Sequence, residues 1–150
     1  MVGSRDGVRL GIDVGSVRVG VAISDPHGIL ATPVSTVSRD AADGADLAQI
    51  AALVTERDVV EVVVGLPRTL RGADGAAVAA ARLFGDALAD RIAPVPVVYT
   101  DERLTTVTAH RQLAERGVRS KDRRAVVDQA AAVQILQSRL DALARQAGPR

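Results

Sequence analysis

The apolar positions of the N-terminal third fall into three short Val/Ile-rich runs, residues 8–14, 17–24 and 28–37. Gly15-Ser16 separates the first two and Asp25-Pro26-His27-Gly28 the next two, and both are turn signals that favour tight antiparallel connections. An antiparallel meander is therefore expected. The period then lengthens: Leu47, Ile50, Ala51 and Val54 recur at helical spacing, with Ser38 and Asp40 as capping candidates. Residues 59–65 are almost continuously apolar, as in a strand buried on both faces. Asp74 and Gly75 introduce a second helix with Val78, Ala81, Leu88 and Ile92 on its apolar side, and Pro94 and Pro96 punctuate the entry into a strand over 95–100. Residues 105–116 read as a short helix closed by Gly117, and a last helix runs from about Arg124 to Ala144 with Ala132, Ile135, Leu136, Leu140 and Leu143 inward. This order predicts an α/β fold: a mixed five-stranded sheet, three antiparallel strands and then parallel ones, with helices on both faces. No linker or internal repeat interrupts it, so residues 1–150 read as a single domain.

A chain of 150 residues, 47% of them hydrophobic, buries roughly two thirds of its unfolded surface and needs no disulfide or structural zinc. The absence of cysteine excludes disulfide scaffolds, thiolate metal sites and cysteine nucleophiles. The first ten residues lack the apolar core of a signal peptide, and no apolar run reaches about 18 residues. A cytoplasmic protein without membrane contact is expected. The net charge of +1 excludes a grip on nucleic acid by global charge alone. Every cation but Lys121 is an arginine, whose planar fork suits phosphate and carboxylate alike.

Acids stand out in three places. Asp13 interrupts the apolar run Leu10-Gly-Ile-Asp-Val14, where a carboxylate is costly unless a cation or hydrogen bonds compensate it; the plainer reading is a turn residue bonding the Gly15 or Ser16 backbone. Asp101 and Glu102 leave the end of the last strand, where ligands collect in α/β sheets, or else cap the helix that follows. Asp128 lies in the last helix among Val126, Val127, Ala130 and Ala131, small residues that let a strand approach, or else it faces solvent. A hard divalent cation accounts for all of them together, because Mg²⁺ takes carboxylate oxygens, water and substrate phosphate. Two such ions about 4 Å apart can activate water and stabilise the leaving oxygen of an in-line displacement at phosphorus.

The segments Gly11-Ile-Asp-Val-Gly-Ser-Val-Arg-Val-Gly-Val-Ala22, Val64-Gly-Leu-Pro67 with Gly72 and Gly75, Thr100-Asp-Glu-Arg-Leu-Thr-Thr106, and Asp128-Gln-Ala-Ala131 running into Ile135-Leu-Gln137 resemble those of the YqgF/RuvX family. That family belongs to the RNase H-like superfamily, together with the Holliday-junction resolvase RuvC. The resemblance implies an RNase H-like fold and a nuclease dependent on Mg²⁺ or Mn²⁺, with a pair of ions. It implies Asp13, Glu102 and Asp128 as catalytic acids and metal ligands. It further implies processing of the 5′ end of precursor 16S ribosomal RNA, with resolution of four-way junction DNA as the alternative. The chain departs from the family pattern at Val14, Val17 and Thr69. Asp101 is the nearby candidate for a fourth carboxylate.

For substrate, Arg119, Lys121, Arg123 and Arg124 cluster in a connection just before the last helix, and Arg18 and Arg103 flank the acids. Cations so grouped would bind a phosphate backbone with salt-dependent affinity. The two aromatic residues, Phe84 and Tyr99, fit core positions, so reading of bases by stacking is not expected. His27 and His110 form no catalytic pair. Two other readings compete: an actin-like ATPase using residues 11–20 as a phosphate hairpin, which lacks the second domain such enzymes close, and a non-catalytic nucleic-acid-binding module. A monomer or a homodimer would serve, since only junction resolution needs two symmetric sites.

Overall fold

The central strand β1 (Val8–Val14) is flanked antiparallel by β2 (Arg18–Ser24) and parallel by β4 (Val59–Leu66). β3 (Ala31–Ser38) pairs antiparallel with β2, and β5 (Val97–Asp101) pairs parallel with β4, giving the order β3-β2-β1-β4-β5. Helices α1 (Ala45–Glu56) and α2 (Gly75–Ile92) make the crossovers, and α3 (Lys121–Ala147) follows β5. The computed structural model describes residues 6–40, 42–67, 75–101 and 121–147, with the side chains of 121–128 and 147 outside that description. The helix expected over 105–116 lies outside the described residues.

β1 and β4 are buried along almost their whole length, which is why they read as near-continuous apolar runs. Alternation splits them between two cores. Leu10, Ile12, Val62 and Val64 pack with Ile50 and Val54 of α1 and with Val78, Phe84 and Leu88 of α2. Val63, with Ala22 and Ala31, packs on the other face beneath Ala132, Ile135, Leu136 and Leu140 of α3. Helices thus cover both faces of the sheet.

Several boundaries differ from the sequence expectation, among them β5, which begins at Val97 rather than at 95. β3 starts at Ala31 rather than at 28, because the Asp25 carboxylate accepts the N–H groups of His27, Ile29 and Leu30 at 2.9, 2.8 and 2.7 Å and coils those residues around itself. Those bonds, led by the one from Leu30, hold its carboxyl below the usual range. α1 is capped by neither Ser38 nor Asp40; its N-cap is Gly44, at φ +71°. α3 starts at Lys121 rather than about Arg124, since the intervening residues include no glycine or proline and Lys and Arg are good helix formers.

Candidate functional site

Alternation along β1 sends Leu10 and Ile12 toward α1 and α2 and leaves Arg9, Gly11 and Asp13 facing α3. At Gly11 the helix lies directly on the strand: a Cβ there would sit 2.6 Å from Leu136 Cβ and 2.7 Å from the Ala132 carbonyl oxygen. Glycine is what permits this approach.

The register of α3 over the sheet follows from three contacts. Arg139 donates to both carboxylate oxygens of Glu61, each at 2.9 Å, and Glu61 is the β4 neighbour of Arg9. Leu136 and Ala132 cover Gly11. Gln129 Nε2 donates to Thr36 Oγ1 at 2.8 Å, and Thr36 pairs with Gly20, which pairs with Asp13. The helix therefore runs antiparallel to β1. Asp128, next to Gln129 and one turn before Ala132, falls at the level of Asp13, at the end of β1 where the chain leaves the strand.

Asp13 is only 4% exposed. Its partner on β2 is Gly20, which is buried and has no side chain. The C-terminal ends of β1, β4 and β5 lie together, because the three strands are parallel. Tyr99 and Val97 pack into the α1/α2 core and Val98 into the α3 core. The same alternation assigns Asp101, whose β4 partner is the core residue Leu66, to the side away from Asp13, which argues against Asp101 as a fourth ligand. Glu102 is the next residue in the chain and lies outside the described residues, as do Arg103 and Arg119. Among the described residues no three metal-ligating side chains form a cluster; of the three acids expected as metal ligands, Asp13 is the one whose side chain is described.

Of the predicted cations, Arg18 opens β2, half-buried and paired with Ser38 across to β3. Lys121, Arg123 and Arg124 belong to the first turn of α3 and not to a connection preceding it. They stand at the positive end of the helix macrodipole, where an anion is favoured, two turns or less from Asp128.

Sequence reasoning missed Arg39. Its main-chain N–H donates to the Val17 carbonyl at 2.9 Å and its Nη1 to the Gly15 carbonyl at 2.8 Å. Its Nε lies 3.3 Å from Asp46 Oδ2, and its guanidinium stacks over the Phe84 ring at 5.2 Å. Only the placement of α1 and α2 discloses these partners. Glu61 was missed for the same reason. Arg9 Nε donates to it at 3.1 Å beside the Arg139 pair; although burial opposes ionisation, the two guanidiniums hold its carboxyl below the usual range.

The family model described as "RuvX: Holliday junction resolvase" matches residues 7–142. A protein of Frankia casuarinae named "Putative pre-16S rRNA nuclease" is 61% identical over 95% of this chain and 70% of its own length. One of Mycobacteroides abscessus with the same name is 59% identical over 90% and 81%. Among solved structures, T. thermophilus RuvC in complex with a Holliday junction substrate aligns with a TM-score of 0.53 at 16% identity, covering 95% of this chain and 96% of that one. With the sheet order described above, this likeness makes the fold RNase H-like. No described helix is long and apolar enough to cross a membrane.

Proposed function

The chain belongs to the RuvX family and is a nuclease, a hydrolase of phosphodiester bonds, and on that premise we propose that its substrate is precursor 16S ribosomal RNA, trimmed at the 5′ end in the cytoplasm. The substrate rests on the name of the relatives, and one observation carries the chemistry: a buried carboxylate, Asp13, lies near the end of the central strand beneath a helix held down at Gly11, with Asp128 one turn before the contact.

Carboxylate oxygens alone make up the donor set of Asp13, Glu102 and Asp128, which suits Mg²⁺ or Mn²⁺. These three would hold the metal, probed as a pair of ions. When bound, such ions activate water and offset charge on the leaving oxygen. The chain's own part is positioning. Asp13 is fixed by a strand paired on both sides, and Asp128 by a helix whose approach is set by Gly11 and by the Gln129–Thr36 bond. Arg18, Arg103, Arg119, Lys121, Arg123 and Arg124 supply the charge that binds the phosphate backbone.

The family's printed description favours a second reading, resolution of four-way junction DNA, which needs a symmetric dimer with two sites, whereas end trimming is served by a monomer. Purified protein offered precursor 16S rRNA fragments and a synthetic four-way junction, with Mg²⁺, Mn²⁺ or EDTA, separates the two. Metal-dependent cutting of the RNA alone supports the proposal; paired symmetric nicks in the junction with intact RNA support resolution instead.

A further inference from the structure

We infer that Arg39 is a positioning residue for the nuclease site, holding the turn 15–17 in the conformation that the substrate backbone meets beside Asp13. The inference rests on the nuclease reading above. The turn begins two residues after Asp13, exposes Ser16 and Val17 at its tip, and ends at Arg18. It closes on its own through the Gly15 N–H donating to the Arg18 carbonyl at 2.9 Å, so the hairpin does not need a guanidinium in order to form.

Arg39 nevertheless grips both sides of it, Gly15 through Nη1 and Val17 through its main chain. The guanidinium is itself fixed from the far side of the hairpin, against Asp46, which is 2% exposed, and the face of Phe84. Asp46 Oδ2 also accepts the Asp40 N–H at 3.0 Å, tying the segment after β3 to the first turn of α1. The exposed tip is thereby referenced to α1 and α2 rather than only to its own strands.

Stability alone does not account for this arrangement. Arg39 Nε is buried and makes no hydrogen bond, and a buried ion pair is on average no better than apolar packing of the same volume, its best-attested use being to fix register. What Arg39 adds is a defined position for an exposed turn beside a buried acid. Such preorganisation strengthens substrate binding without any new contact to the substrate.

The test compares wild type, Arg39→Met, Arg39→Lys and, as a destabilised control, Ile92→Ala, in the core beside Val59 at the end of the sheet away from the turn. Binding of a precursor 16S rRNA fragment in EDTA is followed by anisotropy at several salt concentrations, and kcat and KM are measured with Mg²⁺, all below each variant's unfolding temperature. Arg39→Met is expected to raise Kd and KM tenfold or more with kcat within twofold, Arg39→Lys to raise them about threefold, and Ile92→Ala to leave them unchanged. Because Arg39 acts through the turn, the slope of log Kd against log salt stays at the wild-type value, whereas loss of a direct phosphate contact lowers it by about 0.7. Wild-type affinity in Arg39→Met, an equal loss in Ile92→Ala, or a reduced salt slope overturns the inference. Should Arg39→Met fail to fold, Arg39→Lys decides by the same readouts, wild-type affinity again overturning it. If wild type neither binds nor cuts the RNA, the reading of precursor 16S rRNA as substrate falls and takes the inference with it; if wild type does both and the Arg39 variants match it, the inference alone falls.

Discussion

A carboxylate with 4% of its surface exposed is a costly residue to keep on a central strand, so Asp13 separates a structural demand from a chemical one. Asp13→Asn preserves shape and removes the charge. The expected outcome is a denaturant midpoint within about 1 kcal/mol of wild type together with loss of detectable cleavage. Tyr99 offers an independent check at the same scale. Its hydroxyl donates to the Asp86 carboxylate beneath Gly85, and burial, then Asp86, pushes its pKa to about 12. As the single tyrosine in a chain without tryptophan, it can be titrated cleanly by phenolate absorbance. The midpoint should lie near 12 in wild type and lower in Asp86→Asn. Since the folded value is the raised one, the stability from this bond is complete below the ordinary value of 10 and is lost as pH rises through about 12.

Between elements, α3 is seated by two devices that sequence periodicity does not disclose. One is the triad of Arg9, Glu61 and Arg139, which joins β1, β4 and α3. Glu61→Gln leaves two largely buried guanidiniums without their carboxylate and should cost about 3–5 kcal/mol in urea unfolding at pH 7. The Glu61 carboxyl is depressed in the folded protein, so its contribution is present above the ordinary value of 4.5 and disappears as pH falls through the lower, folded value. The difference between wild type and Glu61→Gln should therefore shrink in acid. The other device is Gly11. Gly11→Ala forces a methyl group into backbone and side chain of α3, with an expected loss of about 1–3 kcal/mol and of cleavage as well, because the helix carrying Asp128 is pushed off the strand carrying Asp13.

The strands and helices themselves were legible because each carries its own period and its own turn residues. Where the start of β3 moved, a side chain had bonded to backbone locally: Asp25 took three N–H groups that a continuing strand would have paired elsewhere. Asp13 and Asp128 were legible as acids out of keeping with their neighbours. The choice of Glu102 over Asp101 came from resemblance; strand alternation bears on Asp101 alone, assigning it to the face opposite Asp13. Arg39 and Glu61 were not legible, since the partners that give them meaning are brought up by packing; Arg139 is 78 residues from Glu61.

At the scale of the whole molecule, five strands in the order β3-β2-β1-β4-β5 with helices on both faces bring the first strand, the last strand and the last helix to one end of the sheet. Under the proposed function, that convergence would let acids 115 positions apart in sequence, Asp13 and Asp128, act together. A net charge of +1 leaves affinity to local cations. With six candidates, each neutralising one phosphate, log Kd for single-stranded RNA should change with log salt by a slope of roughly 4 at most; a steeper slope in a salt titration would mean that further cations bind the backbone. The account stands most directly on the three acids. The decisive measurement is cleavage of a precursor 16S rRNA fragment with Mg²⁺ by wild type, Asp13→Asn, Glu102→Gln and Asp128→Asn, each first shown to be folded by circular dichroism. The account predicts cutting by wild type, abolished by EDTA and by every one of the three substitutions; full activity in any folded variant would contradict it.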